Sequence, residues 1–572
     1  MAKRRKPVET KREETGAVIK RGRHLIKVAL VYPNTYQAGM SSLGYQTVYH
    51  LANQVDTVAC ERVFLPDPKS RDREIKSQET GLRLNQFDLI LFSISFENDF
   101  FNLVRILTDA GIPLRSSKRN HNHHPLVVAG GVACFLNPEP LAPFMDLFLL
   151  GEAEPFLADF FKLFADTDRA TLLQTVESEL PGAYVPATRE PILYPREGET
   201  PAPKPAQPPV QVQYLEHLEE TLTCSRILAS QAAFKDTFLI ETLKGCPHGC
   251  RFCTAGFIYR PPRIYPVETI LSAMDEAAAQ THKVGLVSSA VLDHPEIHTI
   301  CSHGRDLGLT LSFSSLRADK LDEKILDLMA QGNVKTATIA PEAGSDRMRC
   351  IINKKLVRED ILAAAQKLVD NGIINLKLYF MVGLPFEQRE DVQAIVDLAQ
   401  DIKAVFLEAS RAKKKIGTIT LSVNPFIPKP CTPFQWAPMM DKKELEFRLN
   451  LIKNGMKKTA NVKVQTESLK KARINALLSL GDRRCADILE AALDKGWSPA
   501  MREYKSYVQE VVETEKSLEA PLPWDLLNHR ITDKFLRREY EKARIEKQSR
   551  ACPMKACHRC GICMEIPSPS GS

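Results

Sequence analysis

A chain of 572 residues is too long to fold around one hydrophobic core, so two to four domains are expected. Its composition, 44% hydrophobic and 26% charged, is typical of a soluble globular protein, and apolar stretches such as 87–96 and 125–136 are too short to span a membrane. The net charge of +7 lies almost wholly in residues 1–24, where nine Lys or Arg face three Glu, so the body shows no basic bias toward nucleic acid.

Residues 1–24 are predicted to be a basic tail. We prefer a solvated, disordered segment, and an arm that contacts RNA is the alternative. No apolar signal segment precedes the first predicted strand, which favours a cytoplasmic location.

Residues 25–190 predict an α/β domain in which buried strands alternate with helices at about 42–53 and 98–110. This alternation indicates a flavodoxin-like, doubly wound parallel sheet. Ligands of such sheets bind at the carboxyl ends of the strands. The predicted strands are 25–34, 58–67, 87–96, 125–132 and 145–154, and the candidate ligand edges are 32–39, 93–97, 130–131 and 151–152.

A proline-rich spacer at 198–209, within a connector over 191–225, marks the clearest domain boundary. The next domain, 226–441, shows a second series of strand–helix units that predicts an open, partial (β/α)6 barrel. Residues 442–545 are predicted to be mostly helical, and 546–572 form a tail with a cysteine cluster. The predicted barrel strands are 237–243, 283–289, 309–315, 334–340, 375–382 and 416–423.

The 14 cysteines are unevenly placed, which in a cytosolic chain favours metal or redox chemistry over disulfides. Seven stand singly and are expected to be buried. Cys246, Cys250 and Cys253 form a C-x3-C-x2-C loop directly after the first barrel strand, at the face where barrels keep their chemistry. Zinc usually takes four ligands, whereas a [4Fe–4S] cube held by three cysteines leaves one iron open. His248 is an alternative ligand, but its place between cysteines favours a loop residue.

The stretch "CPHGCRFC", with Phe252 before the last cysteine, resembles the radical S-adenosylmethionine (SAM) superfamily. The resemblance implies that the open iron binds the amino and carboxylate groups of SAM. One electron, from a donor such as flavodoxin or ferredoxin, then cleaves SAM to methionine and a 5′-deoxyadenosyl radical. A structural zinc or iron–sulfur staple is the alternative.

The resemblance also implies SAM contacts at the ends of the later strands. Where the family's second strand commonly ends in a Gly-Gly-Glu-like turn, this chain has "LVSSAV", so Ser288 and Ser289 would serve instead. Lys377 and Tyr379 contact SAM or substrate if the fifth strand turns them inward, and an outward orientation is equally open. The other implied contacts are Ser312, Ser314 and Arg317 near ribose and carboxylate, Glu342 at the mouth of strand four, and Gly383 and Pro385 against adenine.

An α/β domain ahead of the barrel, with "VVAGGVACFL" and "FLLGEAE", resembles the cobalamin-binding class of this superfamily. Many cobalamin domains supply a histidine ligand from Asp-x-His-x-x-Gly, but the corresponding stretch 32–45 contains none. Either cobalamin binds with its lower face unligated, or the domain is a vestigial scaffold, since fold alone does not establish a ligand. The implied cobalamin contacts are Tyr36, Ser93, Gly130, Gly131, Gly151 and Glu152.

Cys552, Cys557, Cys560 and Cys563 form a C-x4-C-x2-C-x2-C run in the tail. Two consecutive x2 gaps are typical of a ferredoxin-type loop around one cube, whereas zinc usually wants knuckles separated by a longer loop. We predict a second iron–sulfur cluster, with zinc as the alternative. Its role would be electron delivery or substrate ligation, and the sequence does not distinguish them.

Motifs over 423–436, 479–484 and 523–527 also resemble one subgroup of the cobalamin-binding class. The prediction is a radical SAM enzyme that transfers a methyl or alkyl group to an unactivated carbon. One alternative is a cobalamin-independent radical SAM enzyme that modifies RNA or a ribosome-associated protein. The other is an RNA-associated adapter with a structural cluster. The resemblance further implies association with RNA or a ribonuclease and no membrane partner.

Overall fold

The computed structural model of the protein consists of two bodies built on parallel sheets and a helical C-terminal region. It describes residues 14–69, 73–120, 122–195, 199, 203, 206–314, 316–332, 334–413, 416–554 and 557–564. No helix in these ranges is both long and apolar enough to cross a membrane.

A six-stranded sheet organises the N-terminal domain in the order β2-β1-β3-β4-β5-β6. Its first five strands are parallel, and β6 pairs antiparallel with β5. The order 2-1-3-4-5 is that of a flavodoxin-like sheet, which confirms the predicted fold class. The strands are β1 Ile26–Thr35, β2 Val58–Leu65, β3 Leu89–Ser93, β4 Leu126–Gly130, β5 Leu147–Leu149 and β6 Ala183–Tyr184.

Helices cover both faces of this sheet, so its central strands are apolar without alternation. In β1, residues 28–31 are all 0–1% exposed. The helices are α1 Tyr36–Gly39, α2 Leu43–Gln54, α3 Phe100–Asp109, α4 Val132–Leu136, α5 Leu157–Asp166 and α6 Leu172–Glu179.

The second body is an open barrel made of two parallel sheets, β7-β8-β9 and β10-β11-β12-β13. A single parallel bridge between Leu316 and Ile339 joins them. The predicted partial barrel is confirmed. Its strands are β7 Phe238–Glu241, β8 Lys283–Val287, β9 Thr310–Phe313, β10 Thr336–Glu342, β11 Asn375–Val382, β12 Ile419–Pro425 and β13 Val462–Thr466.

The seventh barrel strand, β13, was not predicted and lies inside the region 442–545 that was expected to be helical. It pairs parallel with β12, and its residues alternate between partly buried and exposed. An edge strand of this kind has little apolar signal in its sequence. The barrel helices are α7 Val267–Ala278, α8 Ile297–Asp306, α9 Glu323–Gln331, α10 Asp346–Ile351, α11 Arg358–Asp370, α12 Arg389–Lys413 and α13 Lys442–Met456.

The C-terminal helices pack the two bodies together. The Asn137 side chain of the N-terminal domain donates to the carbonyls of Ser479 and Gly481 at 3.0 and 2.8 Å. One continuous set of buried apolar residues runs from Ala29 to Ile562, so the bodies share a core. These helices are α14 Leu469–Leu480, α15 Cys485–Lys495, α16 Trp497–Glu503, α17 Lys505–Glu513 and α18 Asp533–Arg544.

Part of the segment predicted to be a disordered tail is folded against the N-terminal domain. Glu14 pairs with the buried Arg62 at 2.5 Å and accepts a hydrogen bond from the Tyr36 hydroxyl at 2.5 Å. The stretch Glu14–Thr15 also pairs antiparallel with Leu228–Ala229. The start of the segment is therefore held in place at Glu14, because a buried guanidinium requires acidic partners. Residues 1–13 lie outside the described ranges.

Candidate active site

The three-cysteine loop lies in a hairpin that follows β7. Its base is the antiparallel pairing of Leu243–Lys244 with Arg263–Ile264. Gly245 begins the loop at φ +85°, and a Cβ there would lie 2.7 Å from the carbonyl oxygen of Tyr259. Only glycine fits this turn without strain. The loop is therefore held at its base and wraps closely on itself.

His248 of the loop shares a hydrogen bond with Asp293, with Nε2 2.8 Å from the carboxylate. Its ring is thus engaged by a barrel residue, as expected for a loop residue. The backbone N–H of Cys253 donates to the carbonyl of Cys250 at 3.0 Å, which closes the second half of the motif into a tight turn.

The three loop thiols lie within electrostatic reach of one another. Burial, followed by the neighbouring Cys250, raises the pKa of Cys246 to about 12 and that of Cys253 to about 11. Metal binding must therefore displace protons from these thiols. Among the described residues, no three His, Cys, Asp or Glu side chains surround one point as a site for a single ion. A [4Fe–4S] cube needs a different arrangement from a single-ion site, because each of its cysteines binds a different iron atom.

Basic side chains surround the innermost thiol. Burial raises the pKa of Cys250, and the positive charges of Lys354 and Arg317 oppose that shift. Lys354 lies 3.2 Å from the carboxylate of Glu342, which ends β10 with a φ of +67°. Strained backbone of this kind persists where the surrounding structure fixes it, often at functional sites. The predicted residues Arg317 and Glu342 thus lie beside the loop, where positive charge would balance a thiolate-held cluster.

One cavity of about 470 Å³ lies between the two bodies. From the N-terminal domain it is bounded by the carboxyl ends of β3, β4 and β5, and from the barrel by the ends of β7, β8 and β9. Ligand edges of both sheets therefore meet in one space. The predicted residues that line it are Ser93, Gly130, Gly131, Gly151, Glu152, Ser288, Ser289 and Ser314.

Small residues shape the N-terminal wall of this cavity. Gly131 has a φ of +98°, and a Cβ there would lie 2.5 Å from the carbonyl oxygen of Ile94. On the barrel side, Ser314 joins two strand ends, since its hydroxyl donates to the carbonyl of Ser288 at 2.8 Å and accepts from the Ser288 N–H at 3.0 Å.

Three predicted cofactor contacts are placed differently from the expectation. Tyr36 and Ser312 do not line the cavity. The Tyr36 ring packs edge-on against Phe64 and its hydroxyl is bonded to Glu14, while Ser312 points back along the sheet to the carbonyl of Val284. Glu152 lines the cavity, but both its oxygens are taken by Arg263. Its carboxylate joins the two bodies and is not free for a ligand.

Lys377 and Tyr379 lie on the face of β11 that turns away from the barrel helices. The alternate residues of this strand, such as Leu378, are buried in the same core as residues of α11 and α12. Lys377 is in register with Thr338 and Thr420 on the neighbouring strands, which makes a polar row across the lumen side. They are available as SAM or substrate contacts, and that role stays a prediction.

The turn after β11 is fixed by a buried ion pair. Gly383, at φ +79°, donates its N–H to Glu387 at 2.7 Å, and Arg448 of α13 pairs with the same carboxylate. Burial raises the pKa of Glu387 to about 7. Gly383 and Pro385 do not line the cavity between the bodies, so their predicted contact with adenine remains untested.

Two family models match this chain. The model of "Radical SAM proteins, N-terminal" matches residues 44–186, and that of the "Radical SAM superfamily" matches residues 240–399. The uncharacterised protein MJ0966 of Methanocaldococcus jannaschii is 30% identical over 475 residues, which cover 81% of this chain and 90% of the relative. The chain belongs to the radical SAM superfamily. The resemblance carried by "CPHGCRFC" is thereby confirmed.

Other proteins are similar to this chain over different shares of its length. The anaerobic magnesium-protoporphyrin IX monomethyl ester cyclase of Rubrivivax gelatinosus is 30% identical over 166 residues, 28% of this chain and 29% of the relative. The structure of the radical SAM methyltransferase TsrM from Kitasatospora setae, with cobalamin and a [4Fe–4S] cluster bound, aligns with 82% of this chain and 99% of that one, at 13% identity and a TM-score of 0.49. The cobalamin-dependent SAM radical enzyme OxsB aligns with 65% and 51%, at 17% identity and a TM-score of 0.45.

As a radical SAM enzyme, the chain is expected to use a [4Fe–4S] cluster and SAM. The charged residues Lys244 and Glu154 in the lining of the cavity were not predicted from the sequence. The buried Lys244 lies 2.9 Å from Glu241 and 3.3 Å from the Thr223 hydroxyl. Burial raises the pKa of the lining carboxylate Glu154, and the charge of Lys244 opposes the shift. The position of Lys244 directly before the radical SAM loop was the one available signal.

Proposed function

We propose that this radical SAM enzyme transfers a methyl or alkyl group to an unactivated carbon, with cobalamin held by the N-terminal domain. The observation that supports the proposal is the cavity that lies between the two bodies. Its walls include the Gly130–Gly131 edge of the flavodoxin-like sheet and the Ser288–Ser289 end of the barrel. Ligands bound at the two edges would face one substrate.

The cavity wall fits a corrinoid whose lower face takes no protein ligand. Most of the N-terminal residues that form it are small or aliphatic, joined by Phe92, Phe135 and Phe156, and Gly131 leaves space that any Cβ would fill. None of the described residues that line it is a histidine. Bound cobalamin would supply a carrier for the methyl group. The chain itself would shape the space around that carrier and exclude water from it.

The loop side fits an iron–sulfur cluster by its donors and its charge. Cys246, Cys250 and Cys253 would supply the thiolates, and Lys354 and Arg317 would balance their negative charge. The cluster would supply the electron that cleaves SAM. Ser288, Ser289 and Ser314 would offer hydroxyl and backbone groups to SAM at the strand ends.

Two charged residues of the cavity lining suit the handling of protons at the substrate. Glu154 and Lys244 both line the cavity, and Lys244 lies within electrostatic reach of Glu241, Glu152 and Glu154. Burial raises the pKa of Glu154, so this carboxyl keeps a proton more readily than an exposed glutamate does, which suits a group that gives or takes a proton at the substrate. We assign Glu154 this role and assign Lys244 the task of holding its charge.

SAM cleavage by reduced protein tests the proposed chemistry at the loop. Anaerobically reconstituted protein with a strong reductant should convert SAM to 5′-deoxyadenosine or, when cobalamin is methylated, to S-adenosylhomocysteine. A variant with Cys246, Cys250 and Cys253 all changed to Ala should form neither product. Cys301→Ala, which removes a buried thiol of α8 outside the loop, should retain both. Turnover that survives the triple change would exclude this radical SAM chemistry.

Cobalamin uptake tests the finer part of the proposal. Purified protein should bind hydroxocobalamin, and the EPR spectrum of the Co(II) state should lack coupling to an axial nitrogen. A strong axial nitrogen signal would contradict the unligated lower face. Failure to bind any corrinoid, with SAM cleavage intact, would favour the cobalamin-independent alternative. Association with RNA or a ribonuclease remains a prediction.

A further inference from the structure

The tail cysteines lie directly against the three-cysteine loop. The backbone N–H of Cys552 donates to the carbonyl of Pro247 at 2.8 Å, one residue from Cys246. Asn353 joins the same two segments, since its amide donates to the carbonyl of Gly249 at 2.9 Å and accepts from the Ser549 N–H at 2.9 Å. The tail is thus fixed to the loop at two points.

The four tail thiols lie within reach of one another and rest on α18. The backbone N–H of Cys557 hydrogen-bonds the sulfur of Cys563, and the charges of Cys560 and Cys552 also act on that thiol. Cys560 is buried, and its carbonyl accepts a hydrogen bond from the Thr532 N–H at 3.1 Å. The four cysteines line one pocket and match the number of thiolate ligands that a [4Fe–4S] cube takes.

The tail set lies on a different side of the loop from the substrate cavity. Cys552, Cys557, Cys560 and Cys563 line a separate pocket with Gly249, Phe257 and Arg260. None of the four lines the cavity between the two bodies. A ligand site for substrate would have to open into that cavity. The geometry therefore separates the tail from the substrate and keeps it beside the loop.

We propose that Cys552, Cys557, Cys560 and Cys563 hold a second [4Fe–4S] cluster that passes electrons to the loop of Cys246, Cys250 and Cys253. The proposal rests on the radical SAM chemistry proposed above. A reduced flavodoxin or ferredoxin gives one electron to the tail cluster and is oxidised by one electron. The tail cluster then gives that electron to the group at the loop and returns to its oxidised state, so no other co-reactant is needed.

The surface around the tail suits an acidic electron carrier. Basic side chains on and after α18 are exposed. Surface charge of one sign accelerates the encounter with a partner of the opposite sign, and salt weakens that effect. Among the described residues from α18 onward, the exposed basic ones are Lys534, Arg538, Arg544, Lys547, Arg550 and Arg559, against the exposed acidic residues Asp533 and Glu546.

Three proteins test the proposal: wild type, Cys557→Ala/Cys560→Ala, and the control His558→Ala, which alters an exposed residue between the same cysteines. After anaerobic reconstitution, wild type and control should carry about eight iron atoms per chain and the double variant about four. EPR of the reduced wild type should show broadening from two neighbouring paramagnets, and the variant should show one isolated cluster. SAM cleavage by the variant should persist with titanium(III) citrate and be lost with reduced flavodoxin.

The outcomes separate this proposal from the proposed function. Equal iron in all three proteins, or zinc in the tail, would overturn the second cluster. If the double variant loses SAM cleavage equally with both reductants, electron transfer through the tail cluster is overturned. Flavodoxin-driven SAM cleavage that survives in the double variant would overturn it as well. Two coupled clusters in a protein that never cleaves SAM would contradict the proposed function and leave the tail site standing. If the double variant does not fold, Cys563→Ser replaces it. That variant must keep SAM cleavage with titanium(III) citrate and lose it with reduced flavodoxin.

Discussion

Glu152 at the edge of the N-terminal sheet holds Arg263 of the loop hairpin through both carboxylate oxygens, at 2.8 and 2.7 Å. The two side chains are only 8% and 14% exposed. Arg263 pairs with Lys244 at the base of the loop, and the Leu215 N–H donates to the same carboxylate at 2.6 Å. The N-terminal domain thus fixes the position of the three-cysteine loop.

Replacing Glu152 by Ala should destabilise the protein strongly. The change leaves the Arg263 guanidinium buried without its partner, which typically costs about 3–5 kcal/mol. Urea titration should show this loss in the apparent free energy of unfolding, and iron retention after reconstitution should fall. Glu74→Ala, which breaks the surface pairs of Glu74 with Lys76 and Arg83, should cost clearly less because water screens exposed charges. Equal losses would show that Glu152 is no more than a surface partner.

Gly131→Ala should impair both folding and corrinoid uptake. Its φ of +98° and the 2.5 Å approach of a Cβ to the Ile94 carbonyl oxygen leave no room for a methyl group. Gly111→Ala is the matched control, because Gly111 also has a positive φ, +70°, yet a Cβ there meets nothing within 4 Å. The control should lose about 1 kcal/mol and the Gly131 variant clearly more. Hydroxocobalamin binding unaffected by Gly131→Ala would remove this wall from the proposed cobalamin site.

Acid should weaken the protein through His529. Its ring is buried beside the Tyr214 hydroxyl at 2.7 Å, and burial lowers its pKa to about 4. The native state therefore keeps this ring neutral, while the unfolded chain binds a proton below about pH 6.5. Stability is present above pH 6.5 and is lost as pH falls toward 4, with about 2 kcal/mol gone by pH 5.

The comparison of His529→Gln with wild type measures this contribution. The variant should lose less stability than wild type between pH 7.5 and 5, whatever its absolute stability at neutral pH. His217→Gln, at a side chain that is 68% exposed, should follow the wild-type curve. Parallel curves for wild type and His529→Gln would mean that this histidine titrates normally.

Lys244→Met should destabilise the protein more than the similar volumes of the two side chains suggest. The ammonium lies 2.9 Å from Glu241 and within electrostatic reach of Glu152 and Glu154, so its removal leaves buried carboxylates uncompensated. Losses of about 3–5 kcal/mol are typical for such changes. Lys463→Met, on the exposed side of β13, should change stability by less than about 0.5 kcal/mol. A loss at Lys244 no larger than at Lys463 would contradict the proposed charge balance.

Local sequence patterns predicted the parallel sheets of both bodies well. Apolar runs that alternate with helices imply parallel strands covered on both faces, and residues 28–31 are buried in that way. The strand β13 was not predicted because two of its five residues are exposed and the other three are only partly buried. The pairing of Glu14–Thr15 was not predicted, because a two-residue strand beside a basic stretch has no periodicity of its own.

The candidate site was predicted where its chemistry lies in one short segment and missed where it depends on distant pairs. The loop from Cys246 to Cys253 carries its spacing in the sequence. The partners Glu152 and Arg263 are separated by 111 positions, and Lys429 and Glu97, which pair at 2.6 Å, by 332. Charge alone does not reveal which of many acids and bases meet in the fold. The hydrogen bond from the Tyr36 hydroxyl to Glu14 was not predicted for the same reason.

Arg251, inside the cluster loop, fixes the order in which the protein can be assembled. Its side chain is wholly buried and donates to the carbonyls of Ile351 and Lys547 at 2.6 Å each, residues that follow it by 100 and 296 positions. A ribosome supplies Lys547 only when most of the chain has been made. Until then the nascent chain leaves this cation in water and the loop without its inner support. We therefore expect iron delivery to the three-cysteine loop only after residue 547 has been translated.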